Sequence, residues 1–433
     1  MVEYSRSEVI KVAVAGVVGT TIEWYDFFIA GTAAALAWPK VFFPSNDPSS
    51  SLLNSIITFG IGFVTRPIGA ILFGHIGDRL GRKTTLIWTL LTMGLGTLGI
   101  ALTPPYAAIG ILAGILVVIF RLIQGLGVGG EWGGATALVA EFAAKSKYRA
   151  FWGSWVQQGV PFGLIAANGA YYIISSSVSP QAFLDWGWRV PFYIGVVIII
   201  VGIIIRYRIA ETPLFKSLIE TRRVERVPFA SLIKNQGKTV ALLAIGWAYH
   251  NAMFYIITSF SQGYLTNYLN VPKSLASLSV LLAAVVEVFI LIISSIIADY
   301  IGRKKVIIIS SGLTVIAVWP YFMLLNTADP LIVILSQIMF LSVIGFGYGV
   351  LPTFFSEQYP TKYRYTGTAF TYHIAAPFSG GLAPILAQYF ITATGGNALL
   401  AWPYIAILGS IYGAAAAISV SLTKETLHEG MKE

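Results

Sequence analysis

Cysteine is absent from this chain of 433 residues, and charged residues make up only 11% of it. Without cysteine there are no disulfides, zinc-thiolate sites or thiol nucleophiles. Soluble domains carry about 25% charged residues, so this chain has too few charges to cover a water-facing surface of its size. Because 56% of the residues are hydrophobic and the mean hydropathy is +0.75, the sequence predicts a protein embedded in lipid.

Acidic residues are scarcer than basic ones, 19 against 28, which gives a net charge of +9. Such an excess can indicate a nucleic-acid partner, but the placement of the charges argues against one. All but five lysines and arginines lie at the termini or in every second connection between apolar runs, which is the positive-inside pattern. We therefore expect a multi-pass cell-membrane protein with both termini in the cytoplasm, no cleaved signal and no nucleic-acid partner. The five exceptions are Lys40, Arg66, Arg121, Arg189 and Lys273.

A basic turn motif occurs once in each half of the chain. Residues 78–83 read Asp-Arg-Leu-Gly-Arg-Lys and residues 299–304 read Asp-Tyr-Ile-Gly-Arg-Lys, 221 positions apart (299 minus 78). A duplicated membrane-embedded body with a hydrophilic turn in each half is typical of secondary transporters. The repeat therefore predicts two related halves that work against each other.

Apolar runs of about 20 residues or more follow one another with short breaks, and each is long enough to cross a bilayer as a helix. They predict an all-α membrane protein with twelve transmembrane helices in two pseudo-symmetric six-helix bundles. The N-terminal bundle covers 1–208, a cytoplasmic linker 209–238, and the C-terminal bundle with a short cytoplasmic tail 239–433. The predicted helices cover residues 11–37, 52–75, 84–103, 109–141, 149–176, 188–208, 239–268, 274–298, 305–326, 330–356, 365–392 and 399–422.

Charges inside membrane helices are costly, so they mark functional candidates. Glu23 and Asp26 lie three residues apart in helix 1 and can share one face, and Arg121 lies near the middle of helix 4. A buried carboxylate stays ionised beside an arginine, whereas without one burial favours the neutral form. We predict that an acid of helix 1, Asp26 in preference to Glu23, exchanges between Arg121 and a proton. A static ion pair between helices 1 and 4 is the alternative.

Three further charges fall within predicted helices. Arg66 in helix 2 could bind a substrate carboxylate through both arms of its guanidinium; it could also reach the headgroups or pair with Glu131. Glu131 in helix 4 is accordingly either a second proton-coupling residue or the partner of Arg66. Glu287 in helix 8 is a further candidate without an assigned partner.

Polar side chains at mid-depth among apolar walls suit a small polar solute. Histidine titrates near neutrality, although each helix histidine could instead be a hydrogen-bonded packing residue. We expect the partners to be a small-molecule substrate, protons and the lipid bilayer, and we expect a monomer. The predicted substrate-binding residues are Arg66, Arg121, Gln124, Gln157, Gln158, His250, Asn251, Tyr255, Tyr372 and His373.

Two nucleotide-like motifs lack their context. Residues 125–130 fit G-x-G-x-x-G, but they lie inside a predicted membrane helix with no preceding strand, where small residues favour close helix packing. Residues 237–239 resemble the end of a phosphate-binding loop, but Leu232 stands where the leading glycine is required. We therefore predict no cofactor and no metal site, and a protein that is not an enzyme. A multi-pass enzyme and a receptor without flux are the less favoured classes.

Four segments in order resemble the major facilitator superfamily, and within it the metabolite:proton symporters that carry dicarboxylates, citrate, shikimate and osmolytes. The resemblance covers essentially the whole chain and is strongest in the first half; the second turn motif lacks the leading glycine and the arginine after the aspartate. It implies the major facilitator fold, alternating access, and proton-coupled symport of a small organic acid or related polar metabolite. A sugar, polyol or osmolyte:proton symporter is the alternative. The segments are 20–27, 62–67, 74–83 and 121–131.

The resemblance also implies that the turn motif latches one bundle against the other. Gly81 permits a tight bend, and Asp78 can accept hydrogen bonds from the start of a neighbouring helix, whose dipole favours an anion. The alternative is that the positive charges serve only to set the membrane orientation. The predicted latch residues are Gly74, Asp78, Arg79, Gly81, Arg82, Lys83, Asp299, Gly302 and Arg303.

Overall fold

The computed structural model describes residues 6–80, 82–130, 132–208 and 228–429. Some side chains inside these ranges are not described, including those of 74–80 and 82–86 in the first turn motif. This part of the chain consists of helices and connecting turns and contains no β-strand. Eight of its helices are long and apolar enough to cross a membrane by length and composition, and two further apolar helical stretches are shorter. The all-α membrane fold is confirmed.

Twelve long helical segments, labelled α1 to α12, follow one another along the described residues. Six of them are built from two or three consecutive pieces, so their axes change direction or pitch within the membrane. Their bounds are α1, Arg6–Leu36; α2, Pro48–Val64 and Arg66–Leu80; α3, Arg82–Leu102; α4, Leu112–Val128 and Trp132–Phe142; α5, Arg149–Gln157 and Gly159–Ser177; α6, Val190–Arg208; α7, Pro228–Tyr255, Ile256–Phe260 and Ser261–Tyr268; α8, Lys273–Ile301; α9, Arg303–Leu325; α10, Pro330–Tyr348 and Leu351–Gln358; α11, Thr361–Ala375, Pro377–Gly381 and Leu382–Ala393; and α12, Ala398–Ser421.

Most helix ends lie within a few residues of the prediction, and α7 is the main difference. It begins at Pro228, whereas the sequence predicts a linker as far as residue 238. Proline is favoured in the first turn of a helix because its missing N–H has no helical partner there. Lys234 and Lys238 are exposed on this extension, and exposed polar residues are common to helices and linkers alike. The rest of the predicted linker, 209–227, lies outside the described residues.

Irregular turns interrupt several helices near the centre of the molecule. α2 changes pieces at Thr65, and wide π-type turns occupy Ile256–Phe260 in α7 and Pro377–Gly381 in α11. Irregular backbone is tolerated at membrane depth only where protein surrounds it, and all five residues of Ile256–Phe260 are buried. These turns aim side chains of α2, α7 and α11 toward the space between the bundles.

Helices α2 and α4 approach each other closely through glycines. A Cβ atom on Gly125 would lie 1.9 Å from the carbonyl oxygen of Gly62, and one on Gly129 would lie 2.1 Å from that of Arg66. Both distances are far below van der Waals contact, so only glycine permits this crossing. The packing role predicted for residues 125–130 is confirmed.

The two bundles meet at both ends of the molecule. At the basic face, the end that carries the turn 299–304, Arg149 pairs with Glu357 at 2.6 Å. At the opposite face, Lys273 Nζ donates to the carbonyl of Leu36 at 2.8 Å, and Tyr268 donates to Ser49 at 3.2 Å. The conformation is therefore closed toward both sides of the membrane.

A narrow space of about 170 Å³ lies between the closed bundles. This space is too thin at every point to hold a water molecule. Phe28, Phe59 and Tyr255 are among the residues that line it. Side chains accordingly fill the centre of the molecule between the bundles in this conformation.

Candidate transport site between the bundles

Asp26 is fully buried and lies within a hydrogen-bond network that joins α1, α3 and α4. The amide nitrogen of Gln124 donates to Asp26 Oδ2 at 2.7 Å, and the hydroxyl of Thr97 donates to Oδ1. The amide oxygen of Gln124 accepts a hydrogen bond from Nη1 of Arg121. The structure therefore brings Asp26 and Arg121 together as the sequence predicts, but Gln124 connects them in place of a direct ion pair.

Arg121 is held by backbone and aromatic contacts. Its Nη2 donates to the carbonyl of Phe59 at 2.9 Å, and its guanidinium carbon lies 4.5 Å from the ring centre of Phe27. A Cβ atom on Gly62 would lie 2.6 Å from Nη2, so glycine at this position makes the room for the guanidinium. The cation is thus positioned mainly by neutral groups, and no carboxylate pairs with it directly among the described residues.

Arg66 is also fully buried, at the point where α2 changes pieces. Its guanidinium carbon lies 4.0 Å from the ring centre of Phe27, 4.4 Å from that of Phe63 and 5.6 Å from that of Trp24. Among the described residues, none of its three side-chain nitrogens has a hydrogen-bond partner. Burial rules out the alternative in which Arg66 reaches the headgroups, while Glu131 lies outside the described residues.

The C-terminal bundle contributes a stack of aromatic rings. Tyr372 lies between two indoles, with its ring centre 3.9 Å from Trp132 and 4.1 Å from Trp247. Its hydroxyl is 2.9 Å from that of Tyr348, whose ring stacks on His250 at 3.8 Å. Because Trp132 belongs to α4 and Trp247 to α7, this aromatic stack crosses the boundary between the bundles.

Both predicted histidines are buried, and neither makes the hydrogen bonds expected of a satisfied packing residue. The ring nitrogens of His250 and His373 lack partners within the described part of the chain. The hydroxyl of Tyr255 lacks one too, and its ring packs 4.8 Å from Phe63 of the N-terminal bundle. Of these residues, Tyr255 lines the closed space between the bundles.

The remaining predicted substrate residues have partners inside the protein. Gln157 accepts from the indole of Trp132 at 2.9 Å, Gln158 donates to the carbonyl of Val288 at 3.1 Å, and Asn251 donates to Ser379 at 2.8 Å. Glu23, predicted beside Asp26 for proton coupling, is buried as well. All ten predicted substrate-binding residues are buried: Arg66, Arg121, Gln124, Gln157, Gln158, His250, Asn251, Tyr255, Tyr372 and His373.

Three residues of the site were not predicted from the sequence: Thr97, Trp247 and Tyr348. A threonine or an aromatic residue in an apolar helix is common, so neither type gives a signal of its own. Spacing offers a weak one for Trp247, which precedes His250 by three positions and can share its helix face.

The second turn motif makes the contacts predicted for the first. Both carboxylate oxygens of Asp299 accept backbone N–H groups at the start of α5, from Ala150 and Phe151, each at 3.0 Å. Gly302 has a φ of +110°, which favours glycine, and Arg303 pairs with Asp299 at 3.0 Å. The contacts of the first motif, Gly74, Asp78, Arg79, Gly81, Arg82 and Lys83, lie outside the described side chains, so its latch role stays a prediction.

Residues 17–384 match the model of the Major Facilitator Superfamily. The chain belongs to this superfamily. It is 36% identical over 427 residues to the inner membrane metabolite transport protein YhjE of Escherichia coli K12, covering 97% of this chain and 95% of that one. It is 33% identical to the shikimate transporter of the same organism, over 93% and 92% of the two chains.

Solved structures agree with the fold. The partially occluded inward-open xylose transporter XylE from E. coli superposes with a TM-score of 0.72 at 17% identity, covering 97% of this chain and 99% of that one. The major facilitator fold that the resemblance implies is confirmed. This protein is accordingly a membrane transporter of metabolites and not an enzyme.

Proposed function

We propose that this transporter carries a small organic acid anion together with protons, by alternating access, from outside the cell to the cytoplasm. The basic face is then cytoplasmic and both termini lie on that side, as the placement of lysine and arginine predicts. The linker between the two bundles is then 209–227, because α7 begins at Pro228. The observation that carries the proposal is Arg66, a fully buried cation with no hydrogen-bond partner among the described residues.

Leaving a guanidinium buried without hydrogen bonds costs free energy unless an anion reaches it. A carboxylate matches its two parallel N–H groups, and such charge-assisted pairs are about twice as strong as neutral ones. The guanidinium carbon of Arg121 lies 4.5 Å from the ring centre of Phe27, and that of Arg66 lies 4.0 Å from the same ring centre. Two cations beside one aromatic ring favour a substrate acid with one or two carboxylates.

Proton coupling follows from the chemistry of Gln124. An ionised Asp26 only accepts hydrogen bonds, so Gln124 turns its NH₂ group toward it and its oxygen toward Arg121. A protonated Asp26 needs an acceptor, and rotating the amide supplies one. The same rotation turns NH₂ toward Arg121, which can only donate. Protonation of Asp26 therefore releases Arg121 and makes it available to the substrate anion.

Alternating access requires each face to open in turn. Opening the basic face breaks the Arg149–Glu357 pair and the two backbone hydrogen bonds to Asp299. Opening the opposite face breaks neutral contacts and the bond from Lys273 to the Leu36 carbonyl. Interfaces of this kind have two discrete arrangements, which suits rocking of one bundle against the other.

Uptake into proteoliposomes tests the proposal. A labelled dicarboxylate should accumulate when the outside is acidic, and a labelled hexose should not. Arg66→Gln should abolish high-affinity uptake of the acid while the variant remains folded. If the hexose or a zwitterionic osmolyte accumulates and the acid does not, the alternative is correct. That alternative draws on the buried acids Glu23 and Asp26, which suit a neutral or zwitterionic solute.

A further inference from the structure

A third acid is buried in the membrane interior, in the C-terminal bundle and outside the network of Asp26. Glu287 is the middle residue of α8, 14 positions from each end of Lys273–Ile301 (287 minus 273 and 301 minus 287). At about 1.5 Å per residue, both ends of the helix are roughly 20 Å away. Its side chain is fully buried, so it faces neither lipid nor solvent.

The carboxyl group of Glu287 has no hydrogen-bond partner on either oxygen among the described residues. It lies against α10 at Gly345, where a Cβ atom would come within 3.4 Å of Glu287 Cγ and 3.5 Å of Oε1. Burying an ionised carboxylate without partners is so costly that the group takes up a proton instead. We propose that Glu287 is a second proton-binding site, occupied in the closed conformation and exchanging its proton when the C-terminal bundle opens.

Among the residues that the structure describes, the groups around Glu287 give it no counter-ion. The titratable groups that face this region are Tyr348 from α10 and His250 from α7, whose rings stack on each other at 3.8 Å. From α5 the nearest polar group is Gln158, which donates to the carbonyl of Val288, next to Glu287. The other helices packed against α8 place their cations at the basic face, Arg149 on α5 and residues 303–305 on α9.

A physical connection links this site to the other bundle. Tyr348, one helical turn beyond Gly345, lies close enough to Glu287 for a charge there to act on it, and its hydroxyl is 2.9 Å from that of Tyr372. Tyr372 in turn stacks on Trp132 of α4 at 3.9 Å. A charge appearing on Glu287 therefore acts on the aromatic stack that joins the bundles, which couples proton release to their separation.

Infrared spectroscopy of the purified protein in lipid tests proton occupancy directly. Wild-type protein near neutral pH should show a carbonyl-stretch band of a protonated carboxylic acid that disappears in Glu287→Gln. The matched control Asp329→Asn removes an exposed helix-capping acid and should remove only ionised-carboxylate absorption. If Glu287→Gln also removes only ionised-carboxylate absorption, Glu287 is charged and the proposal is wrong.

The proton:substrate ratio, measured from reversal potentials in proteoliposomes, tests whether transport uses the proton of Glu287. This role in coupling rests on the proposed function. The ratio should fall by one in Glu287→Gln and be restored in Glu287→Asp, which keeps a titratable group. An unchanged ratio in Glu287→Gln would overturn the role in coupling. If wild-type protein moves no protons at all, the proposed function fails, whereas the infrared band still reports on Glu287. If Glu287→Gln does not fold, a band that shifts but persists in Glu287→Asp supports the proposal, and an unshifted band overturns it.

Discussion

The two bundles differ in how their interiors handle charge. The N-terminal bundle holds Asp26, Arg66 and Arg121 within a few helical turns, and Gln124 links two of them. Away from the basic face, the described interior of the C-terminal bundle holds Glu287 among aromatic rings and neutral polar groups; the other buried acid, Glu357, pairs with Arg149 at that face. The pseudo-symmetry of the fold therefore does not extend to the buried charges of the two bundles. The first bundle thus brings an acid close to two cations, whereas the second holds Glu287 apart from any cation among the described residues.

Asp26→Asn should have the largest effect on transport, because it removes the acid of the N-terminal bundle that exchanges the proton. The neutral amide resembles a protonated aspartate, so substrate exchange should persist while uphill accumulation falls steeply. Proteoliposomes with and without a pH gradient measure both.

Asp47→Asn is the matched control for that substitution. Asp47 is an exposed N-cap of α2 that accepts from the N–H groups of Ser49 and Ser50, and asparagine caps equally well. The hydroxyl of Ser50 lowers the pKa of Asp47, so this carboxylate stays ionised throughout the mildly acidic range. Accumulation should be unchanged in the control; undiminished accumulation in Asp26→Asn would contradict the assignment.

Arg66→Gln should have the next largest effect, on affinity. Hydrogen bonds to charged groups contribute about 1.5–3 kcal/mol, which corresponds to a rise of about 10- to 100-fold in the Kd for the acid. Arg189→Gln is the control, because Arg189 is half-buried away from the site and donates to the carbonyl of Thr103. Equal losses of affinity in the two variants would show that Arg66 does not contact the substrate.

Asp299→Asn should open the basic face. Asparagine has one acceptor oxygen, so at least one of the two bonds to the start of α5 is lost, and the open form gains about 10-fold in population. Because the chain has no cysteine, Ser356→Cys gives a single labelling site for a maleimide added at the basic face. Ser356 is buried and directly precedes Glu357 in α10. Asp329→Asn, which caps α10 within one bundle, should not change the labelling rate. Equal labelling rates in Asp299→Asn and in the Asp329→Asn control would show that Asp299 does not hold the basic face closed.

Tyr372→Phe should have the smallest effect. It removes the hydroxyl contact with Tyr348 and keeps the ring between Trp132 and Trp247. One neutral hydrogen bond contributes about 0.5–1.5 kcal/mol, so the KM should change about two- to tenfold. Tyr372→Ala, which removes the ring as well, should change it more; similar effects of the two would place the importance of this residue in its hydroxyl alone.

The fold was largely predictable because apolar runs report directly on membrane helices. Breaks such as Thr65 and the turn at Ile256–Phe260 were not, since hydropathy does not register hydrogen-bond pattern. The early start of α7 at Pro228 was not predicted because its exposed lysines are equally typical of a linker. Segment lengths thus follow from the sequence, whereas the paths of the helices depend on their neighbours.

The charged residues of the site were predictable from the sequence, whereas several neutral residues that complete it were not. Asp26, Arg66 and Arg121 stand out because charges inside membrane helices are costly, rare and usually functional. Thr97 donates to Asp26 across helices separated by 71 positions, and a threonine in an apolar run carries no sign of such a partner. The closed arrangement of the two bundles is likewise a property of contacts such as Arg149–Glu357, which pairs the two halves of the chain.

Binding of a labelled organic acid to the purified protein at acidic and at alkaline pH tests the central claim most directly. If protonation of Asp26 releases Arg121 to the substrate, wild-type protein binds more tightly at acidic pH. Asp26→Asn should bind tightly at both and lose most of the pH dependence. A pH dependence in Asp26→Asn equal to that of the wild type would contradict the account.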